Sequence, residues 1–216
     1  MFIVDKAPAS INQALPVPKV IFFDIDDTLS RNGIIATHNQ ATLEALAKTD
    51  IKLVISTGRS KAILPADILA LLEADVLDAI ICMNGQYSFD NKGLISHYPL
   101  SAEQADKIVQ LCQTSQLIHK FDSATHIAWS DENERLRDFN AKTPNSIVDP
   151  LYYQSNPVYQ CSVFFNNQFD KMQDIDFAQD DLKLVHWHHI GADILPANAS
   201  KARGIKDVCR YYGVDA

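Results

Sequence analysis

Lys19-Val-Ile-Phe-Phe-Asp24-Ile-Asp26-Asp27-Thr28-Leu29 is the stretch on which the fold turns. From Val20 to Phe23 the residues are β-branched or aromatic without any polar alternation, and the run stops at an acid. Such a run reads as a strand buried on both faces, as in a parallel sheet covered by helices. Outward from it, Thr37 to Lys48 carries Leu43, Leu46 and Ala47 at helical spacing. Ile51 to Ile55 is a second apolar run, ending in Ser56-Thr57-Gly58-Arg59. Ala66 to Glu73 reads as a helix, and Ala79 to Cys82 as a third strand that ends at Met83-Asn84-Gly85. Strand, helix, strand, helix, strand predicts a doubly wound α/β sheet. Right-handed crossovers bring the carboxyl ends of the strands to one edge, and ligands of such sheets bind just beyond it. Asp24 to Thr28, Thr57 to Arg59 and Asn84 to Gly85 are therefore expected to border one cleft.

Composition narrows the function classes. The 216 residues are 47% hydrophobic and 21% charged, a globular balance sufficient for one large or two small domains. A net charge of −8 lacks the basic footprint of a nucleic-acid or anionic-membrane binder. The seven glycines form neither a dinucleotide fingerprint nor a P-loop, and no G-x-S-x-G elbow is present. Four scattered cysteines without a C-x-x-C pair argue against a zinc ribbon or redox motif. Asp5 and Lys6 interrupt the first ten residues, and no apolar run approaches 18 residues, so the reading is a cytoplasmic protein with reduced thiols. His186 and His188 would share one face of a strand, but no carboxylate or cysteine stands near them at ligand spacing.

Beyond Gly85 the character changes. Gln86 to Asp90 and Leu94 to Tyr98 flank Asn91-Lys92-Gly93 as a hairpin would. Ala102 to Cys112 reads as a helix, Ile127 to Trp129, Cys161 to Phe165, Leu182 to His188 and Ala192 to Leu195 as strands, and Arg135 to Asn140 as a helical turn. A last helix runs from Ser200 to Tyr212 and ends at Gly213. The expected organisation is an N-terminal arm at 1–18 punctuated by Pro8, Pro16 and Pro18, a core built from 19–84 and 196–216, and an inserted α+β layer at 85–195.

Asp24 and Asp26, two carboxylates at i and i+2 on a strand exit, can share one site, one attacking as a nucleophile while the other moves a proton. The same spacing also suits a plain acidic turn at a strand end. The surrounding motifs add a resemblance. Phe23-Asp24-Ile-Asp26-Asp27-Thr28-Leu29 resembles motif I of the haloacid dehalogenase superfamily, and Ser56-Thr57-Gly58-Arg59 resembles motif II. Leu195-Pro-Ala-Asn-Ala-Ser200-Lys201-Ala-Arg-Gly204 resembles motif III of the Cof-like phosphatases of subclass IIB. The Asn84-Gly85 strand end and the long insertion after it are similar to that subclass, whose inserted domain is the C2B-type cap.

The resemblance implies a Rossmann-like core with a C2B-type cap and Mg²⁺-dependent hydrolysis of a small phosphorylated metabolite, a sugar phosphate first among them, through an aspartyl-phosphate. It implies Asp24 as nucleophile, Asp26 as general acid and base, Thr57 on a phosphoryl oxygen and Lys201 against its charge. Mg²⁺ would sit against the Asp24 carboxylate and the Asp26 main-chain carbonyl. Thr28, Gly58, Arg59, Asn84 and Gly85 would complete the substrate site; Arg59 reads equally as a substrate contact or as a structural pairing at a helix start. Asp27 stands where the superfamily often has glycine. A phosphomutase using the same intermediate, or an inactive ligand-binding module, would carry the same motifs. A fourth, acidic motif would follow Val214 within a few residues. The given sequence reaches Ala216, Asp180-Asp181 precedes Lys201, and Asp207 lies mid-helix. The expectation from this is a weakened Mg²⁺ site that supports little or no hydrolysis, and an open edge along Val20 to Phe23. That edge would be covered by aggregation, by the 1–18 arm, or by a second copy of the chain, the last preferred over the arm because the arm's prolines make poor ladder donors.

Overall fold

The computed structural model describes residues 17–31, 34–132, 143, 145–165 and 177–214, with the main chain alone at 188. The chain enters at β1 (Val20–Phe23), makes a small hairpin of β2 (Ser30–Arg31) and β3 (Ile34–Ile35), and continues through α1 (Thr37–Leu46), β4 (Lys52–Ser56), α2 (Ala66–Glu73), β5 (Ala79–Cys82), β6 (Tyr87–Asp90) and β7 (Gly93–His97). One five-stranded sheet has the order β1-β4-β5-β6-β7. β1, β4 and β5 run parallel, as the apolar runs predict. Successive strand residues point to opposite faces: Leu53, Ile55 and Ile80 meet Leu43 of α1 and Ile68 of α2, while Val54, Ala79 and Ile81 meet Val208 of the final helix. Both faces are thus covered, which is why no polar alternation marks these strands. Among the described residues β1 is an outer strand of this sheet.

The hairpin β6–β7 differs from expectation. It extends the core sheet by pairing antiparallel with β5, instead of opening the inserted layer at 85. The connection is a tight turn in which Met83, Asn84 and Gly85 have φ of 50°, 55° and 88°. Three successive left-handed residues reverse the chain at once, so β6 falls beside the strand it has just left.

A second unit follows: α3 (Ala102–Thr114), β8 (Ile118–Asp122), β9 (Ile127–Trp129), β10 (Ser146–Val148), β11 (Gln160–Phe164), β12 (Leu182–His188) and β13 (Gly191–Pro196). Among the described residues its strands have the order β10-β9-β8-β11-β13-β12. Ser101 caps α3 reciprocally with Gln104, and Ala105, Ile108 and Cys112 of that helix pack on Phe121, Cys161, Val163 and Ile194 of the sheet. All four cysteines are buried and free. The chain then returns through α4 (Lys201–Tyr212), closed by Gly213 in the left-handed conformation, φ 68°. The helical turn expected at 135–140 and residues 1–16 of the arm lie outside the described residues. Among the described residues no helix is long and apolar enough to cross a membrane.

Candidate active site

The loop after β1 winds around one carbonyl. The N–H groups of Leu29 and Ser30 both donate to the Ile25 carbonyl, at 3.0 and 2.9 Å, and Ile25 itself is fully buried. The chain must leave the extended conformation to do this, and Asp27 takes φ 56°, a left-handed value open chiefly to Gly, Asn and Asp. That is a physical reason for an aspartate or a glycine at this position. The turn holds Asp24 and Asp26 toward the same cleft.

Each carboxylate has a cationic partner. Asp24 Oδ2 accepts from Lys201 Nζ at 2.9 Å, and its Oδ1 accepts from the Ile25 N–H at 2.9 Å. Arg59 grips Asp26 with a two-pronged fork, Nε to Oδ2 at 2.9 Å and Nη2 to Oδ1 at 2.7 Å. The hydrogen bonds from Arg59 hold the Asp26 carboxyl below its usual range. Arg59, read as a substrate contact or as a structural pairing at a helix start, is here paired with Asp26 on the loop after β1.

Motif II is pinned from behind. Thr57 is fully buried and its N–H donates to the Ile81 carbonyl at 2.9 Å. The Met83 and Asn84 N–H groups donate to the Arg59 and Thr57 carbonyls, at 2.9 and 3.2 Å, so the β5 exit fixes the β4 exit. Thr57 Oγ1 accepts from the Arg59 N–H at 3.1 Å. A side chain at Gly58 would stand 3.2 Å from Asn84 Oδ1.

Lys201 reaches Asp24 because α4 sits directly on the β5 turn. A Cβ on Gly85 would lie 2.0 Å from the Ser200 carbonyl oxygen, and one on Gly204 2.5 Å from Ile81 Cγ2. The two glycines let helix and turn meet backbone to backbone. Ser200 caps the helix by accepting from the Arg203 N–H, leaving Lys201 at its positive end, where a lysine is favourable only beside an anion.

Asp24, Asp26, Thr57, Gly58, Arg59, Asn84 and Lys201 line one cavity of ≈ 550 Å³. Two expected site residues stand apart from it. Thr28 is exposed, with its carbonyl accepting from Asn39 Nδ2 at 3.4 Å, and Gly85 faces Ser200 behind the cleft. The far wall comes from residues that the sequence reading passed over: Lys120, Asp122, Gln160, Ser162, Trp187 and Asp193. Lys120 Nζ and Asp122 Oδ1 pair at 2.5 Å, and Gln160 Nε2 donates to Asp122 Oδ2 at 2.7 Å and to the Gly58 carbonyl at 3.3 Å. Burial pushes the Asp193 carboxyl up to about 6.

Among the described residues no three His, Cys, Asp or Glu side chains gather as a metal cluster. The donors at the β1 exit nevertheless suit magnesium, which commonly takes one or two carboxylates and fills its remaining positions with water and phosphate.

A model of the haloacid dehalogenase-like hydrolases matches residues 21–216. The chain is 26% identical over 194 residues to the candidate phosphatase YkrA of Bacillus subtilis, covering 88% of this chain and 73% of that protein. It is also 26% identical over 200 residues to a candidate bifunctional phosphatase/peptidyl-prolyl cis-trans isomerase of Streptococcus pyogenes, covering 91% of this chain and 42% of that one. Among solved structures, the subclass IIB sugar phosphatase BT4131 superposes with a TM-score of 0.75 at 23% identity, covering 91% of this chain and 77% of its own. BT1666 of Bacteroides thetaiotaomicron, a phosphatase of the same superfamily, gives 0.77 at 20% identity, covering 97% and 78%. At these identities the structural likeness speaks for the fold.

Proposed function

The chain belongs to the haloacid dehalogenase-like hydrolases, and from that premise we propose that it is a phosphatase releasing phosphate from a small phosphorylated metabolite, a sugar phosphate in the first instance. The observation that carries this reading is the pairing of Asp24 with Lys201 at 2.9 Å beside Asp26 in the grip of Arg59. Two carboxylates and two cations at the mouth of one cleft are the parts phosphoryl transfer needs, since that reaction asks mainly for positioning and charge neutralisation.

In this reading a carboxylate oxygen of Asp24 attacks phosphorus while the bond to the leaving alcohol breaks, and Asp26 gives that oxygen its proton. Asp26 then takes a proton from the water that attacks the aspartyl-phosphate, which frees phosphate and restores Asp24. Asp26 can carry a proton only when released from the Arg59 fork, and the incoming phosphoryl group offers Arg59 another anion. The Thr57 hydroxyl accepts from Arg59 N–H and keeps its own proton for a phosphoryl oxygen. Lys201, at the helix terminus, meets the charge. Mg²⁺ held by the Asp24 carboxylate and the Asp26 main-chain carbonyl would, when bound, add further neutralisation of the phosphoryl oxygens.

Hydrolysis of a sugar-phosphate panel with and without Mg²⁺ tests the reading. Free phosphate is the expected product; transfer between hydroxyls of one sugar would mark a mutase, and no reaction with any ester would overturn the proposal. Asp26→Ala should lower kcat by roughly 10²–10⁴-fold, the usual range for a lost general acid–base. A loss below tenfold would remove Asp26 from that role.

Among the described residues β1 is an outer strand, and an apolar edge of this kind supports self-association along Val20 to Phe23. Sedimentation equilibrium should then give a mass above the monomer, and a clean monomer at high micromolar concentration would exclude it.

A further inference from the structure

One face of the inserted sheet is polar although it is buried. Strand alternation sends Phe121, Cys161, Val163 and Ile194 toward α3. It sends Lys120, Asp122, Gln160, Ser162 and Asp193 the other way, into the cleft bordered by Asp24 and Lys201. The register sets them side by side: Lys120 opposite Ser162, Asp122 opposite Gln160, Ser162 opposite Asp193. All five are no more than 9% exposed. Burying polar groups costs free energy even when they are bonded to one another, and apolar residues of the same size would pack there more favourably. A row of this kind makes sense if something polar enters between it and the core.

The internal bonds indicate what that is. Lys120 and Asp122 neutralise each other at 2.5 Å. Asp193 accepts from Ser162 Oγ at 2.7 Å and from Trp187 Nε1 at 3.1 Å, both on Oδ1, so Oδ2 carries neither bond. Trp187 lines the same wall and is 48% exposed, offering a flat apolar surface beside the carboxylate. A hydroxyl donor with an adjacent C–H face fits this pair; a second anion does not, since it would meet Asp193 across a poorly solvated gap.

We propose that Asp193, positioned by Ser162 and Trp187, is a specificity-determining residue that accepts a hydrogen bond from a hydroxyl of the leaving alcohol, selecting polyhydroxylated leaving groups over those bearing a second phosphate. The inference deepens the phosphatase reading and rests on it for the orientation of the substrate.

Asp193→Asn is the sharpest test. Its Oδ1 can still accept from Ser162 and Trp187, while an amide donor replaces the acceptor at Oδ2. Kinetics on glucose 6-phosphate, fructose 1,6-bisphosphate and nitrophenyl phosphate give the readout. The ratio of kcat/KM for glucose 6-phosphate to that for nitrophenyl phosphate should fall roughly 10- to 100-fold, as for a lost hydrogen bond to a charged group. The discrimination against the bisphosphate should shrink as well. Equal losses on all three esters would make Asp193 merely structural and overturn the proposal, as would no change. If the wild-type chain hydrolyses no ester, the phosphatase reading fails by itself. Calorimetric titration of glucose 6-phosphate against inorganic phosphate then decides the Asp193 question: equal affinities in both chains, or an unaltered difference between them in the variant, refutes it. Should Asp193→Asn fail to fold, Trp187→Phe keeps an aromatic face, removes the indole N–H that holds Asp193, and must shift the same ratios in the same direction.

Discussion

Asp24→Asn is expected to lower kcat on every phosphate ester by roughly four to six orders of magnitude, the scale on which removal of a nucleophile is felt. An amide oxygen carries no negative charge and cannot take phosphorus from an alkoxide, so no residual path of the same kind exists. The fold should survive. The Asp24–Lys201 pair is partly exposed at both ends, and exposed pairs contribute about 0–1 kcal/mol, so the melting temperature should shift by no more than about 4 °C. The Ile25 N–H can still donate to the remaining side-chain oxygen. Asp24→Glu, which keeps the charge but displaces the oxygens by one methylene, should be nearly as inactive. Retention of more than a tenth of the wild-type rate by Asp24→Asn, in a protein free of contaminating phosphatase, would remove Asp24 as nucleophile.

Gly85→Ala should be the most damaging small substitution in the core. Its new methyl would stand 2.0 Å from the Ser200 carbonyl oxygen, a backbone atom with no rotamer to change, and φ 88° is hostile to any side chain. The left-handed conformation costs about 1–2 kcal/mol for a non-glycine residue, and overpacking adds about 1–3 kcal/mol. Together they predict a loss of about 2–5 kcal/mol, or a melting temperature lower by roughly 5–20 °C for a chain of this size. Activity should fall further than stability explains, because the displaced element is the helix that carries Lys201. Gly213→Ala is the control: φ is 68° but nothing lies within 4 Å, so the conformational term acts alone. Equal destabilisation by the two substitutions would refute the close-packing account.

The residues around these positions also show where sequence reading succeeds. β1, β4 and β5 are legible because strands buried on both faces must be apolar throughout, and polar residues then stand out at their ends. Asp24 and Thr57 fall among those end residues, whereas Lys201 opens α4 and stands out only through the resemblance of 195–204 to motif III; the structure places all three on one cavity. The hairpin of β6 and β7 was legible as a hairpin but not as part of the core sheet, because its alternation is the same whichever sheet it joins. Its destination depends on the left-handed turn at Met83-Asn84-Gly85: Asn84 and Gly85 suit such a conformation, but nothing about Met83 announces it. The polar row of the inserted sheet was illegible for a related reason. Ser162 and Asp193 alternate with apolar neighbours as residues facing water would, and only the fold shows that another domain covers that face. The histidines on either side of Trp187 raise metal binding, which the lack of a carboxylate or cysteine at ligand spacing argues against, and Trp187 itself carries no signal of this wall.

The span between Asp24 and Lys201 has a bearing on synthesis. The ion pair joins residues 177 positions apart, and Lys201 lies on the last described helix. A ribosome adding about 5–20 residues per second would expose β1 with Asp24 and the whole second unit before the lysine emerges. During that interval Val54, Ala79 and Ile81 have no Val208 above them, so the nascent chain presents an apolar strip to the translation machinery and its chaperones. Arrival of α4 covers the strip and brings Lys201 to Asp24 in a single event, so the ion pair forms as that face of the sheet is closed.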